Sequence, residues 1–144
     1  MAQTFISNHT HIVFSTKHRQ PLIKDKEKLW AYMAGIARNV HADPRAIGGM
    51  PDHCHLLLSQ KELPIPKLVN LIKSNSSKWM NERVKAFAWQ NGYAALSVSA
   101  SNLDAVTRYI ETQEDHHRKR TFEQEYIALL KKHKMDFDER YVFD

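Results

Sequence analysis

The stretch able to do chemistry is Pro51-Asp52-His53-Cys54-His55-Leu56-Leu57-Leu58. In a strand, side chains alternate between faces, so His53 and His55 project together while Cys54, Leu56 and Leu58 project from the other side. Two imidazoles so placed can offer two nitrogen ligands to one divalent ion, with an apolar reverse face to keep the strand rigid. The pair alone does not complete a metal site; a third ligand must come from elsewhere. His9-Thr10-His11 repeats the pattern, so a structural zinc site of four histidines is a competing use of the same residues.

A second polar group lies in a helix capped by Ser101 or Asn102 and running to about Lys119, with Leu103, Val106 and Ile110 as its apolar stripe. Tyr109 falls roughly a quarter turn off that stripe, and Gln113 lies about one turn above it. Both therefore flank the face that packs on a sheet. A tyrosine there is ordinarily structural, ring in the core and hydroxyl in water, and position alone gives it no catalytic role. The run His116-His117-Arg118-Lys119-Arg120 follows, and then Thr121-x-x-Gln124, a capping box opening a last helix with Phe122, Tyr126 and Leu130 along one side.

These groups need elements to position them. His9 to Thr16 reads as a first strand, ending in the basic loop Lys17-His18-Arg19-Gln20-Pro21. From Asp25, read as an N-cap, Leu29, Met33, Ile36 and Val40 mark one buried helix stripe. Arg45 to Met50 pairs with the histidine strand through a tight connection, and Gly48-Gly49 is no phosphate loop, because no Gly-Lys-Ser/Thr follows. Pro66 sits at the first position of a second helix whose face is traced by Leu68, Ile72, Trp79 and Arg83. An aromatic turn, Phe87 to Tyr93, leads into a fourth strand at Ala95–Ser99; Trp89 and Tyr93 read as packing at the sheet edge, with base stacking as the alternative. The order β-α-β-β-α-β followed by two helices predicts an α+β, ferredoxin-like sandwich with an antiparallel sheet, the later helices covering its second face.

Composition sets the outer limits. A chain of 144 residues fits a single domain over residues 1–144, and 21 Lys and Arg against 16 Asp and Glu give a net charge of +5, suited to a polyanionic partner. The candidate phosphate contacts are Lys17 and Arg19 in the first loop, Lys73 and Lys78 on the second helix, and Arg118, Lys119 and Arg120. Cys54 is the one cysteine, so no internal disulfide forms. Neither a signal peptide nor a membrane-spanning run is legible, and a cytoplasmic location is expected.

Taken together, Met50-Pro51-Asp52-His53-Cys54-His55-Leu56-Leu57, the turn Phe87-x-Trp89-Gln90-x-Gly92-Tyr93 before Leu96-Ser97-Val98-Ser99, and Tyr109-Ile110-x-x-Gln113 resemble the single-tyrosine HUH transposases of the smallest bacterial insertion sequences. Their domesticated relatives associated with repeated extragenic palindromes share the same blocks. Cys54 stands where the family has a hydrophobic residue, and it serves as a small buried hydrophobe. The resemblance implies His53, His55 and Gln113 as metal ligands. It implies Tyr109 as the nucleophile on single-stranded DNA with hairpin ends, Mg²⁺ or Mn²⁺ as cofactor, and a 5′-phosphotyrosine intermediate. It further implies a homodimer with shared active sites, in which the histidines of one subunit work with Tyr109 and Gln113 of the other. Two imidazoles and an amide are neutral, so a bound cation would keep its charge for the scissile phosphate. No nucleotide cofactor is expected, because exchange of one phosphodiester for another is close to thermoneutral. Three alternatives stay open: the four-histidine zinc site, a non-catalytic RNA-binding module with a similar sandwich, and a domesticated relative that processes palindromes without moving an element.

Overall fold

The computed structural model describes residues 2–144. Strands β1 (His9–Ser15), β2 (Asp43–Met50), β3 (His53–Ser59) and β4 (Ala94–Val98) form one sheet in the order β2-β3-β1-β4, each neighbouring pair antiparallel. This is the order expected when β-α-β-β-α-β closes as a ferredoxin-like sandwich. Helices α1 (Lys26–Asn39) and α2 (Ile65–Asn81) supply the crossovers, and α3 (Leu103–Glu111), α4 (Gln113–His117) and α5 (Phe122–Lys132) follow β4. None of the described helices is long and apolar enough to cross a membrane.

Strand register sorts the side chains into two layers. Ile12 pairs with Leu56 and Phe14 with Cys54; these residues and Leu58 pack against Leu29, Met33 and Ala37 of α1 and Leu68, Val69, Ile72 and Met80 of α2. The alternate residues, Val13 opposite His55 and Ser15 opposite His53, face α3, α4 and α5. There Leu57, Leu103 and Ile110 make one apolar cluster, and Val13, Leu96, Phe122, Tyr126 and Leu130 make another. The histidines lie between them.

Gly48 decides how closely α3 can approach. It pairs with His55, and a Cβ built on it would stand 2.6 Å from the backbone oxygen of Ile110, so the absence of a side chain lets the helix backbone rest on the sheet beside the histidines.

Several local expectations are corrected. The helix predicted to run to Lys119 breaks at Thr112, whose φ and ψ are −109° and 32° and whose hydroxyl donates to the Arg108 carbonyl at 2.8 Å. Such back-bonding competes with the helical ladder. In α2 the buried face passes through Val69, Ser76 and Met80. Trp79 instead stacks on Tyr32 at 5.2 Å, and Arg83, beyond the helix, lies 3.5 Å over the Trp79 ring. Ser76 is buried because it accepts the Trp89 indole N–H at 2.9 Å. Asp25 and Asn102 precede their helices without side-chain caps, and Asp25 takes a left-handed φ of 51°. The Thr121–Gln124 capping box is present in both directions, at 3.2 and 2.9 Å. Trp89 is 7% exposed and lies perpendicular to Phe14 and Phe87, so it is a core residue and not an open platform for a base. The C-terminal segment docks on the domain, with the Asp144 backbone oxygen accepting from Gly92 N at 2.7 Å.

Candidate active site

His53 and His55 are fully buried beneath α3, α4 and α5. Asp52, in the β2–β3 turn, lies 2.7 Å from His53 Nδ1; a carboxylate can only accept, so that nitrogen carries a proton and leaves Nε2 directed into the site. His53 Nε2 points at Gln113 Oε1, 3.0 Å away. Past the break at Thr112, Gln113 is buried on the side of the sheet that carries the histidines, and His117 lies one turn further on.

The centre of the cluster is Glu125, on α5 and fully buried. Its Oε1 lies 3.0 Å from His55 Nε2, 3.2 Å from His117 Nε2 and 3.5 Å from His53 Nε2. Its Oε2 accepts from the Tyr109 hydroxyl and, at 3.3 Å, from Gln113 Nε2. The Arg120 guanidinium donates to the Tyr109 oxygen at 3.4 Å, and the tyrosine ring leans on His116 with centroids 4.5 Å apart. His11 Nε2 meets His55 Nδ1 at 2.8 Å and so fixes the second imidazole from behind.

Electrostatics follow from this packing. Burial pushes the Tyr109 phenol up, and the Glu125 carboxylate pushes it further, against Arg120. Burial would raise Glu125, but hydrogen bonds from His117 and His55 outweigh it and hold its carboxyl well below the usual range. Burial lowers His11 and His55, whereas for His117 the bond to Glu125 overcomes burial and raises it. The protein thus holds a neutral phenol against a charged carboxylate.

The donor set fits a divalent cation. His53 Nε2, Gln113 Oε1 and Glu125 Oε1 converge on one buried spot, where a proton shared with an imidazole or a cation in its place satisfies the two oxygens. Ligand atoms of His53, His117 and Glu125 lie within 4.8 Å of one another. The amide and carboxylate oxygens suit Mg²⁺ or Mn²⁺, and the imidazole nitrogens suit a transition ion such as zinc.

His53, His55, Tyr109 and Gln113 are therefore gathered within one chain. His9 is not among them: it sits opposite Ser59 at the far end of β1, its Nε2 bonded to Ser7 Oγ at 3.2 Å, and the four-histidine zinc site is not built. Arg19, Arg118, Lys119 and Arg120 line a cleft of about 830 Å³ that reaches Asp52 and His117, and Lys17 lines an adjoining one. Lys73 leaves the candidate set. Its three ammonium protons go to the carbonyls of Gln90, Asn91 and Gly92 at 2.6, 3.1 and 3.0 Å, and burial lowers its pKa to about 8. Lys78 is exposed on α2, on the opposite side of the sheet from the histidines. Sequence reasoning missed Glu125 as a site residue. The available signal was a carboxylate three residues after Phe122 and beside Tyr126, on the apolar stripe of α5.

Residues 4–113 match the family model described as "Transposase IS200 like". The ISDra2 transposase TnpA of Deinococcus radiodurans is 28% identical over 116 residues, covering 73% of this chain and 83% of that protein. A crystal structure of a protein from Deinococcus radiodurans R1 assigned as a transposase superposes with a TM-score of 0.61 at 25% identity, over 78% of this chain and 96% of the other. A REP-associated tyrosine transposase, solved bound to a REP hairpin, has the same fold at a TM-score of 0.62 and 14% identity, over 81% and 73% of the two chains. With the four-stranded sheet, the paired histidines and the tyrosine helix in place, the chain belongs to the IS200-like transposase family.

Proposed function

We propose that this protein cleaves and rejoins single-stranded DNA at hairpin-bearing element ends, with Tyr109 as the attacking group. The observation that carries the reading is the convergence of the Tyr109 hydroxyl with His53, His55 and Gln113 around one buried carboxylate. The likeness to a protein solved with a REP hairpin supports hairpin DNA as partner.

His53, His55 and Gln113, with His117 and Glu125 adjoining, would hold Mg²⁺ or Mn²⁺. When bound, the ion supplies Lewis-acid stabilisation of charge on the phosphate oxygens. The chain's own groups do the rest. Arg118, Lys119 and Arg19 line the cleft that takes the strand's phosphates, and Arg120, at the phenol oxygen, counters the negative charge that develops during attack. The phenol loses its proton as its oxygen forms a bond to phosphorus and the bond to the 3′ oxygen breaks. That oxygen takes up a proton, leaving a 5′-phosphotyrosine and a free 3′-hydroxyl. Rejoining is the reverse step, with no nucleotide consumed. Because Tyr109 is strongly protonated at rest, its attack depends on removal of that proton within the site.

Transposition handles two DNA ends, so two copies are expected, in a homodimer with shared active sites. One chain already holds Tyr109 over its own histidines, and sharing would require α3 to cross by reorienting the short link from Ser99 to Asn102. A relative that processes palindromes without moving an element would use the same residues, and the REP-associated neighbour supports it as the second reading.

Labelled oligonucleotides resolved on denaturing gels test the proposal: wild type forms a covalent adduct in Mg²⁺ or Mn²⁺, and Tyr109→Phe binds DNA but forms none. An adduct persisting in Tyr109→Phe would reject Tyr109. Single strands carrying the hairpin with and without flanking element sequence separate transposition from palindrome processing.

A further inference from the structure

The family match ends at residue 113, yet the residue at the centre of the site is Glu125, twelve positions further on. A fully buried carboxylate is costly unless its oxygens are satisfied. Here the two oxygens serve different partners: Oε1 faces the Nε2 atoms of His55, His117 and His53 at 3.0, 3.2 and 3.5 Å, and Oε2 receives the Tyr109 hydroxyl and Gln113 Nε2. One side chain thus joins the histidine cluster to the nucleophile. Its placement is rigid, because the capping box fixes where α5 begins and the burial of Phe122 and Tyr126 fixes which face meets the sheet.

We propose that Glu125 is a positioning residue contributed by the C-terminal segment, whose Oε1 adds an anionic ligand to the divalent cation beside His53 and whose Oε2 holds the Tyr109 hydroxyl over the site. The proposal rests on Tyr109 being the nucleophile. Its consequence is a cation site that carries one negative charge where His53, His55 and Gln113 alone would carry none. Ligand charge count sets affinity for hard cations, so the segment after residue 113 tightens metal binding as it aims the tyrosine.

The experiment titrates Mn²⁺ alone into the full chain and reads free ion by electron paramagnetic resonance. Glu125→Gln, with unchanged circular dichroism, should bind Mn²⁺ about 10- to 100-fold more weakly, whereas Tyr109→Phe should stay within about twofold of wild type. With saturating Mn²⁺ and a single-stranded hairpin substrate, Glu125→Gln should lower kcat for adduct formation and leave KM for DNA unchanged. Glu125→Asp keeps the charge but is one methylene shorter, and it should restore most Mn²⁺ binding without restoring kcat. Wild-type Mn²⁺ affinity in Glu125→Gln, or wild-type kcat, overturns the proposal. If Glu125→Gln fails to fold, Glu125→Asp decides, and equal loss of binding and rate, or loss of neither, overturns it. Should wild type form no adduct at all, the nucleophile reading fails, while the Mn²⁺ titration still decides whether Glu125 is a ligand.

Discussion

Replacing Gly48 by alanine perturbs the site without touching any residue in it. The new Cβ would lie 2.6 Å from the Ile110 carbonyl oxygen and 3.2 Å from Ile110 Cγ2, and the nearer neighbour is helix backbone, which cannot rotate away. Reaching an ordinary separation of about 3.5 Å requires α3 and β2 to part by roughly 0.9 Å. Overpacking of this kind costs about 1–3 kcal/mol. For a chain of this size that is a fall in Tm of roughly 2–12 °C, readable by thermal circular dichroism. The larger effect should be on rate, because Tyr109 precedes Ile110 directly and moves with it. A misplacement of about 1 Å at a reacting group can cost on the order of 100-fold. Single-turnover adduct formation at saturating metal and DNA measures it, with Kd for DNA expected to change little. A Gly48→Ala protein with wild-type Tm and wild-type rate would refute the claim that close approach of α3 at Gly48 sets the tyrosine's position.

Cleavage should be abolished by EDTA and by His53→Ala, while His9→Ala, at the far end of β1, should leave both Mn²⁺ binding and cleavage near wild type; loss of metal in His9→Ala would revive the zinc reading. Without metal, the fold should lose stability as pH falls below about 6.5, because burial depresses His11 and His55 in the folded state and the unfolded chain takes up protons first. Glu125 adds to the same trend below about pH 4.3, its folded carboxyl being depressed, while His117, which is raised, opposes it. Urea unfolding at pH 7.5 and 5.0 should therefore show a smaller difference for His11→Asn than for wild type. Mixing Tyr109→Phe with His53→Ala protein should restore cleavage if sites are shared between subunits, and verified heterodimers that stay inactive place the whole site in one chain.

How far the sequence could be read depended on the range of each interaction. The facing of His53 and His55 follows from a period of two, and the cap of α5 from four adjacent residues, so both were legible locally. The break at Thr112 was not, since the apolar stripe of Leu103, Val106 and Ile110 continues to favour helix and only the hydroxyl's bond to Arg108 marks the interruption. On α2, Trp79 looked like core by type, but Ser76 holds the buried position because Trp89, in the turn that follows the helix, needs an acceptor there. Lys73 looked like a phosphate contact for the corresponding reason: its three carbonyl partners come from a turn that the helix meets only after folding. Glu125 is the extreme case. A glutamate on a helix is usually solvated, and its role emerges only when α5 crosses the sheet over residues some seventy positions earlier.

Cys54 turns the strand that carries the histidines into its own reporter. It points away from them into the α1–α2 side, is fully buried, and has its thiol pushed up by burial, so a thiol reagent can react only when that part of the sheet opens. With no second cysteine in the chain, modification has a single origin. When reclosing outpaces reaction, the labelling rate measures the free energy of that opening. A ligand that binds the closed form must slow it in proportion to its occupancy. Alkylation monitored by mass spectrometry would therefore rank metals and DNA strands by how firmly each holds the histidine strand shut, without any cleavage taking place.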